Sequence, residues 1–288
     1  MRLNRFDPSK IRVGTASGGR GGFPGGGGGK VGCGTLVIVL IAALVFGVDP
    51  AQMLGGSGGQ PAPQIEQRGG QSAEELCSSN QYALETCNAL SSLNETWEPV
   101  FRQAGVRFQD PILKFPIERQ FNTACGGGNV GMGPFYCPGD QTIYIDVNFY
   151  DQLAQMSGRG GDFARYYVVA HEYGHHIQYL TGVASQIRSQ QQRNPRQSNQ
   201  LQVLMELQAD CYAGVWAAKN RNLIEPGDLE EGMRAAAAIG DDTLQRNAGR
   251  RVNPESFTHG TSRQRQQALQ IGLQTGDDTQ CDRIVEIG

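Results

Sequence analysis

The chain has 288 residues and a formal net charge of -3. A chain of this length can form one or two domains with a sizeable buried core. Its near balance of acidic and basic residues gives no indication of a nucleic-acid partner. Evidence for a function must therefore come from local motifs.

The first 72 residues differ in composition from the rest of the chain. Residues 1–30 are basic and rich in glycine, and an uncharged, largely apolar run follows over 31–48. Such a run is just long enough for a membrane-spanning helix, and a basic flank usually stays in the cytoplasm. The sequence therefore predicts a cytoplasmic arm over 1–30, a single transmembrane helix over 31–48, a flexible linker over 49–72 and a folded domain over 73–288. That domain is expected on the periplasmic or extracellular side of the cell membrane, and a cleaved signal peptide is the alternative.

Cysteines in the predicted exported domain are even in number, which is typical of disulfide formation in an oxidising compartment. Six cysteines allow 15 connectivities, and the sequence does not decide among them. Cys125–Cys137 around a Gly-rich loop is the pair favoured most, and Cys211–Cys281, near the C-terminus, and Cys77–Cys87 are further candidates. The last pair requires a helix that begins between its members, capped at Ser79 or Asn80. Ten residues of continuous helix would hold the two cysteines about 15 Å apart, beyond disulfide reach.

Hydrophobic spacing predicts a helix-rich α+β domain with a small sheet. An extended segment covers 106–121, a strand covers 141–147, and the Gln/Arg/Ser-rich stretch 185–200 is expected to be an exposed loop. Thr261 and Gln264 fit a capping box at the start of the last helix. The predicted helices are 82–103, 163–180, 200–220, a segment from Pro226 to about Gly240, and a segment that begins after Thr261.

The strongest chemical motif lies within the second of these helices. His171 and His175 are four residues apart, which places both imidazoles on one helix face where they can bind a single Zn²⁺. Glu172 would then lie beside the open coordination position and act as a general base toward zinc-bound water. An H-E-x-x-H match alone can also be an amphipathic helix with two solvated histidines.

A second motif on the next long helix favours the metal site. Catalytic zinc commonly has three protein ligands, and Glu206 is the expected third ligand beside the two histidines. Asp210, one turn later, can accept the N–H of a zinc-binding histidine and fix its tautomer. Gly174 would allow the two helices to approach closely, although a mid-helix glycine can also be merely tolerated.

These residues resemble the neutral zinc metallopeptidase family of membrane-anchored bacterial proteins and, more distantly, thermolysin-like zincins with H-E-x-x-H and a downstream glutamate. The resemblance covers roughly residues 90–282. It implies a zincin-like peptidase core behind an N-terminal membrane helix, with Zn²⁺ as cofactor, and no particular substrate. The segments that carry it are 133–138 (GPFYCP), 168–172 (VVAHE), 206–214 (ELQADCYAG), 239–242 (IGDD) and 256–260 (SFTHG).

Two further features are candidates for substrate binding and catalysis. In zincins generally, an edge strand before the catalytic helix pairs with the substrate backbone, and 141–147 is the candidate here; an ordinary buried strand is the alternative. His259 could stabilise the oxyanion of the tetrahedral intermediate, or it could be a solvated or capping histidine. His176 points about 100° away around the helix and is expected to be structural. Asp241 and Asp242 are expected to cap a helix end rather than to bind calcium.

The sequence thus predicts a membrane-anchored, zinc-dependent endopeptidase that hydrolyses peptide bonds outside the cytoplasm. Its expected partners are a peptide or protein substrate and the membrane. Two alternatives remain open. One is a zinc-stabilised envelope module that binds proteins without catalysis, and the other is a zinc amidase acting on cell-wall peptides. The sequence leaves the oligomeric state undetermined.

Overall fold

The computed structural model describes residues 1–18 and 71–286, which form a helix-rich α+β fold. The predicted transmembrane helix over 31–48 and all but the last two residues of the predicted linker lie outside these ranges. Within them, no helix combines the length and the apolar character needed to cross a membrane. The strands are β1 (Arg12–Ala16), β2 (Ile112–Pro116), β3 (Gln120–Thr123), β4 (Gly126–Asn129), β5 (Phe135–Cys137) and β6 (Thr142–Tyr144). The α-helices are α1 (Ala73–Cys77), α2 (Gln81–Gln103), α3 (Phe149–Ser157), α4 (Asp162–Leu180), α5 (Val183–Arg193), α6 (Ser198–Lys219), α7 (Asp228–Ala238), α8 (Asp241–Asn247), α9 (Ser262–Thr275) and α10 (Thr279–Val285).

Four strands form a mixed sheet in the order β1-β2-β6-β5. β1 and β6 run parallel to β2 on its two sides, and β5 runs antiparallel to β6. The strand predicted over 141–147 is therefore present as β6 but lies inside the sheet. Its expected role as the substrate-pairing edge strand is wrong, because both of its sides already have a partner. β5 is the edge strand at that end.

The N-terminal residues belong to the same folded body as the rest. β1 pairs with β2 in register from Arg12 opposite Ile112 to Ala16 opposite Pro116, and Phe6 is buried in the main core. The prediction that the folded domain begins at residue 73, with 1–30 as a separate arm, is therefore wrong for residues 1–18. Basic and glycine residues dominate that arm, and they obscure the few apolar side chains that pack.

The long helices form where the hydrophobic spacing predicts them. α4 is buried along most of its length, and it packs against α2, α6 and α7. α9 lies along α6 in very close contact, since a Cβ on Gly272 would lie 2.0 Å from the carbonyl oxygen of Cys211. The predicted capping box of Thr261 and Gln264 is present at the start of α9. This packing holds α4 and α6 side by side, with α9 behind them.

The prediction of an exposed loop over 185–200 is wrong, because α5 occupies most of this stretch. Ala184, Ile187 and Gln191 are buried, and their three- and four-residue spacing forms a narrow face toward α4 and α6. The glutamines and arginines around them have good helix propensity. Pro195 follows the end of α5, so its presence is compatible with the helix.

The three candidate cysteine pairs are all disulfide-bonded. Their Cα–Cα distances are 5.9 Å for Cys77–Cys87, 5.8 Å for Cys125–Cys137 and 5.5 Å for Cys211–Cys281. The condition for the first pair is met as well, since α2 begins between the two cysteines with Asn80 as its N-cap. The second pair joins the loop after β3 to the end of β5, and the third joins α6 to α10.

Candidate metal centre and active-site cleft

α4 and α6 together bring three metal-binding side chains to one point. His171 and His175 lie one turn apart on α4, with ring centroids 4.9 Å apart. Glu206 reaches them from α6, with one oxygen 3.1 Å from His171 Nε2 and the other 3.6 Å from His175 Nε2. One donor atom from each residue lies within 4.8 Å of the others.

The close approach of the two helices depends on Gly174. A Cβ at this position would lie 2.8 Å from Ala209 Cα and 2.9 Å from its carbonyl oxygen, closer than real Cβ atoms come to backbone. The expected reason for a mid-helix glycine is therefore confirmed. Any larger residue would push α6, and Glu206 with it, away from the two histidines.

The donor set fits a zinc ion in chemistry and spacing. Two imidazole nitrogens and one carboxylate are a known ligand set for catalytic Zn²⁺. Tetrahedral coordination with bonds of about 2.0–2.1 Å separates neighbouring ligand atoms by roughly 3.3 Å. The 3.1 and 3.6 Å contacts bracket that value. His171, His175 and Glu206 can therefore hold one ion with little movement.

Asp210 lies behind His171, away from the point where the three donors meet. Its Oδ1 is 2.8 Å from His171 Nδ1, so this carboxylate accepts the Nδ1 proton and leaves Nε2 for the metal. Tyr167 also donates to Oδ1 at 2.6 Å. Arg265, from α9, donates to both Asp210 oxygens at 2.8 and 2.9 Å. Asp210 is fully buried, and all of these donors are needed to stabilise its charge.

Tyr167 and Arg265 were not among the residues predicted from the sequence. Tyr167 is four residues before His171 on the same helix face, a spacing that could have indicated it. Arg265 follows the capping box of α9, and nothing near it in the sequence indicates that it reaches a residue 55 positions earlier.

Charge interactions at the site shift several pKa values. Burial alone would lower the pKa of His171, but the charge of Asp210 and the hydrogen bond to it raise the pKa to about 9. Burial would raise the pKa of Asp210, yet Arg265 and His171 lower it to about 2. Burial likewise opposes ionisation of Glu206, and the charges of His175 and His259 hold its pKa well below its usual range. The carboxylate of Glu206 is therefore ionised and ready to bind a cation. That cation has to displace the proton on Nε2 of His171.

Glu172 lines the same cleft as the three metal-binding residues. Its side chain is buried, with 7% of the residue exposed. Burial raises the pKa of Glu172, while the neighbouring His171 and His175 oppose that rise. A carboxylate in this setting can accept and return a proton.

His259 also lines this cleft, on the turn between α8 and α9. Asp241 holds the turn, since its Oδ2 accepts backbone N–H groups from Thr258, His259 and Gly260 at 2.7, 2.6 and 3.1 Å. Its Oδ1 lies 3.2 Å from His259 Nδ1. The expectation that Asp241 caps a helix end is therefore wrong, because its hydrogen bonds organise the turn that presents His259. Asp242 does serve a helix end, accepting the N–H of Ser262 at the start of α9.

His176 is separate from the metal site, as expected. Its Nδ1 lies 2.9 Å from the Tyr136 hydroxyl and its Nε2 lies 2.6 Å from the carbonyl oxygen of Gln109. Burial lowers the pKa of His176 to about 4. This neutral histidine therefore ties α4 to β5 and to the segment before β2.

The cleft around these groups has a volume of about 490 Å³. The β3–β4 turn, β5 and α3 to α6 all contribute to its walls, together with the ends of α7 to α9. Much of its lining is apolar, including Met132, Phe135, Phe149, Met156, Val168 and Leu244. Phe121 of β3 stacks on Phe135 and Tyr144, with ring centroids 6.2 Å and 5.5 Å away respectively. These contacts hold the β3–β4 pair against the four-stranded sheet.

Comparison with known proteins agrees with this geometry. The chain matches the family described as "Putative neutral zinc metallopeptidase" over residues 4–284. It is similar to "Uncharacterized protein YpfJ" of Escherichia coli K12, with 43% identity over 263 residues that cover 90% of this chain and 88% of the relative. It is also similar to "Uncharacterized protein Rv2575" of Mycobacterium tuberculosis H37Rv, with 40% identity over 205 residues that cover 67% of each chain. No solved structure matches it. This protein therefore belongs to the neutral zinc metallopeptidase family, whose cofactor is Zn²⁺.

Proposed function

We propose that this protein is a zinc-dependent endopeptidase in which Glu172 is the general base. The observation that carries the proposal is a set of three metal-binding donors beside a buried carboxylate, all facing one cleft. A zinc ion that only stabilised a fold would have four protein ligands and no open position. Three ligands next to a cavity leave room for water and substrate, which favours catalysis over a purely structural role.

Each residue has a defined task in this proposal. Zinc, when bound, supplies a Lewis acid that polarises the scissile carbonyl. Glu172 takes a proton from the attacking water and passes it to the leaving amine. Its pKa is raised by burial, which brings the carboxylate closer to the range where transfer in both directions is effective.

His259 is the proposed stabiliser of the substrate oxygen. Its Nδ1 donates to Asp241, so donation from Nε2 toward the cleft requires the imidazolium form, in which both ring nitrogens carry a proton. A preorganised donor at the oxygen that gains charge lowers the barrier to attack on a carbonyl. Asp241 keeps the imidazole in place through the three backbone hydrogen bonds of the turn.

The substrate backbone is proposed to bind along β5. This strand is at the edge of the sheet, and Gly133, Pro134, Phe135 and Tyr136 all line the cleft. An extended peptide can add to such an edge through main-chain hydrogen bonds. This mode of binding favours a peptide over a small-molecule substrate.

The protein is proposed to act outside the cytoplasm and to attach to the membrane through residues 31–48. Three disulfides support the first part, because such bonds persist mainly in oxidising compartments. The length of the apolar run suits insertion into the membrane. A single crossing by residues 31–48 would separate residues 1–18 from the cleft, which the pairing of β1 with β2 does not allow. This proposal therefore places both on the same side of the membrane, in place of the single crossing with a cytoplasmic N-terminus that the sequence predicts.

The test is replacement of Glu172 by Gln, with Glu230→Gln on the surface of α7 as the matched control. The Glu172→Gln protein should retain zinc, measured as metal content per chain, because Glu172 is not a ligand. Its hydrolysis of an unfolded protein such as reduced casein should fall by roughly 10²–10⁴-fold, the usual contribution of a general base. Unchanged turnover would refute the proposal, and cleavage of purified cell-wall peptides without any cleavage of casein would indicate an amidase instead.

A further inference from the structure

Arg265 is a buried cation at the back of the metal site. Only 2% of the residue is exposed, and it sits on α9 while the metal-binding residues sit on α4 and α6. Its Nε and Nη2 bind the two oxygens of Asp210. Nη2 also lies 3.1 Å from the Tyr167 hydroxyl, and Nη1 donates to the carbonyl oxygen of Ile239 at 3.2 Å.

We infer that Arg265 is a positioning residue for the metal site, acting on His171 through Asp210. The inference rests on the metal site of the proposed function. Both oxygens of Asp210 are held by a planar guanidinium, so the carboxylate has one orientation whether or not an ion is present. The Nδ1–H of His171 then has a fixed acceptor, and Nε2 is held toward Glu206 and His175.

The geometry separates this role from direct catalysis. Arg265 is among the residues that line the cleft, so its charge could in principle stabilise a substrate oxygen. Its Nε, Nη1 and Nη2 atoms already donate to Asp210 and Ile239. Only 2% of the residue is exposed, and a substrate that drew the guanidinium toward itself would leave the Asp210 charge buried without its main partner. Arg265 therefore acts on the metal-binding histidine and not on the reacting atoms.

A lysine would replace this arginine only in part. Lysine carries a compact charge, whereas the guanidinium presents parallel N–H groups that match both carboxylate oxygens. The contact between Arg265 Nη2 and His171 Nδ1 is 3.2 Å. Both nitrogens donate to Asp210 Oδ1, so they lie close together without a hydrogen bond between them.

The experiment measures the zinc dissociation constant by chelator competition for Arg265→Met, Arg265→Lys and the matched control Arg263→Met. Arg263 is exposed on the same helix, two residues before Arg265. Arg265→Met should bind zinc 10–100-fold more weakly, the usual effect of losing a partner behind a metal ligand, and Arg265→Lys should show a smaller loss. Arg263→Met should bind as the wild type does. Visible spectra of the Co²⁺-loaded proteins should show altered coordination in Arg265→Met alone.

Removal of Arg265 alone leaves a buried charge, so a second variant guards against misfolding. The Asp210→Asn/Arg265→Met double variant removes both charges together and should also bind zinc at least tenfold more weakly, because His171 loses its charged acceptor. A folded Arg265→Met or double variant with wild-type affinity and an unaltered Co²⁺ spectrum would overturn the inference. These readouts need no hydrolysis, so failure of the proposed peptidase activity would be seen separately.

Discussion

Gly174 controls the separation of the two helices that carry the metal-binding side chains. In an exposed helix an alanine would be favoured over glycine by about 1 kcal/mol. Here a new Cβ would lie 2.8 Å from Ala209 Cα, and overpacking of this kind costs about 1–3 kcal/mol. The new Cβ would clash with backbone atoms of Ala209, and backbone cannot move away as a flexible side chain can.

Gly174→Ala should therefore lower the free energy of unfolding in urea, despite the better helix propensity of alanine. Gly14→Ala is the control, because its Cβ would meet nothing within 4 Å. A Gly174→Ala protein as stable as the wild type, or more stable, would show that α6 can shift without penalty.

At the same scale, the sequence indicates the metal-binding residues better than it indicates what supports them. His171, Glu172 and His175 are linked by helix periodicity, which is a local property. Arg265 meets Asp210 only because α9 packs along α6, and that contact depends on the complete fold. The turn that presents His259 likewise needs Asp241, whose hydrogen bonds span 17 to 19 residues.

Among the elements, most of the long helices are predicted well, and the short helices and the arrangement of strands are not. Amphipathic spacing predicts α2, α4, α6 and α7 to within a few residues of their observed ends, and the capping box predicts the start of α9. α5 is missed because its apolar face consists of few residues among many polar ones. The shorter helices α1, α3, α8 and α10 are also missing from the prediction. The strand at 141–147 is recognised, yet its place inside the sheet depends on β2 and β5, and strand order cannot be deduced from alternation within one strand.

The disulfides differ in the length of chain that they close. Cys211 and Cys281 are 70 residues apart, and Cys77 and Cys87 are 10 apart. Loop-closure entropy in the unfolded chain predicts a loss of about 4 kcal/mol for the first bond and about 3 kcal/mol for the second.

The Cys211→Ala/Cys281→Ala variant should therefore lose more unfolding free energy than the Cys77→Ala/Cys87→Ala variant. Both are measured by urea denaturation without reductant. A larger loss for the Cys77/Cys87 variant would indicate that native packing at α1 and α2 outweighs the entropy of the unfolded chain.

On the scale of the whole molecule, the N-terminal residues are part of the core. Phe6 is 3% exposed and belongs to the same cluster as Trp97, Val169 and Trp216. Truncation of a buried phenylalanine to alanine costs about 3–5 kcal/mol.

Phe6→Ala should lower the unfolding free energy of the full chain by that amount, measured by urea denaturation. The exposed Lys10→Ala should change it by less than about 0.5 kcal/mol. Equal stability of the two variants would mean that residues 1–18 do not pack as the structure shows.

The pairing of β1 with β2 also bears on how the protein can be shortened. A fragment that starts at residue 73 would leave the outer side of β2 with unsatisfied backbone N–H and C=O groups along five residues. Such an open edge is a template for pairing with other chains. Fragments without residues 1–18 should therefore self-associate, and supplying a separate peptide of that sequence should restore a monodisperse protein.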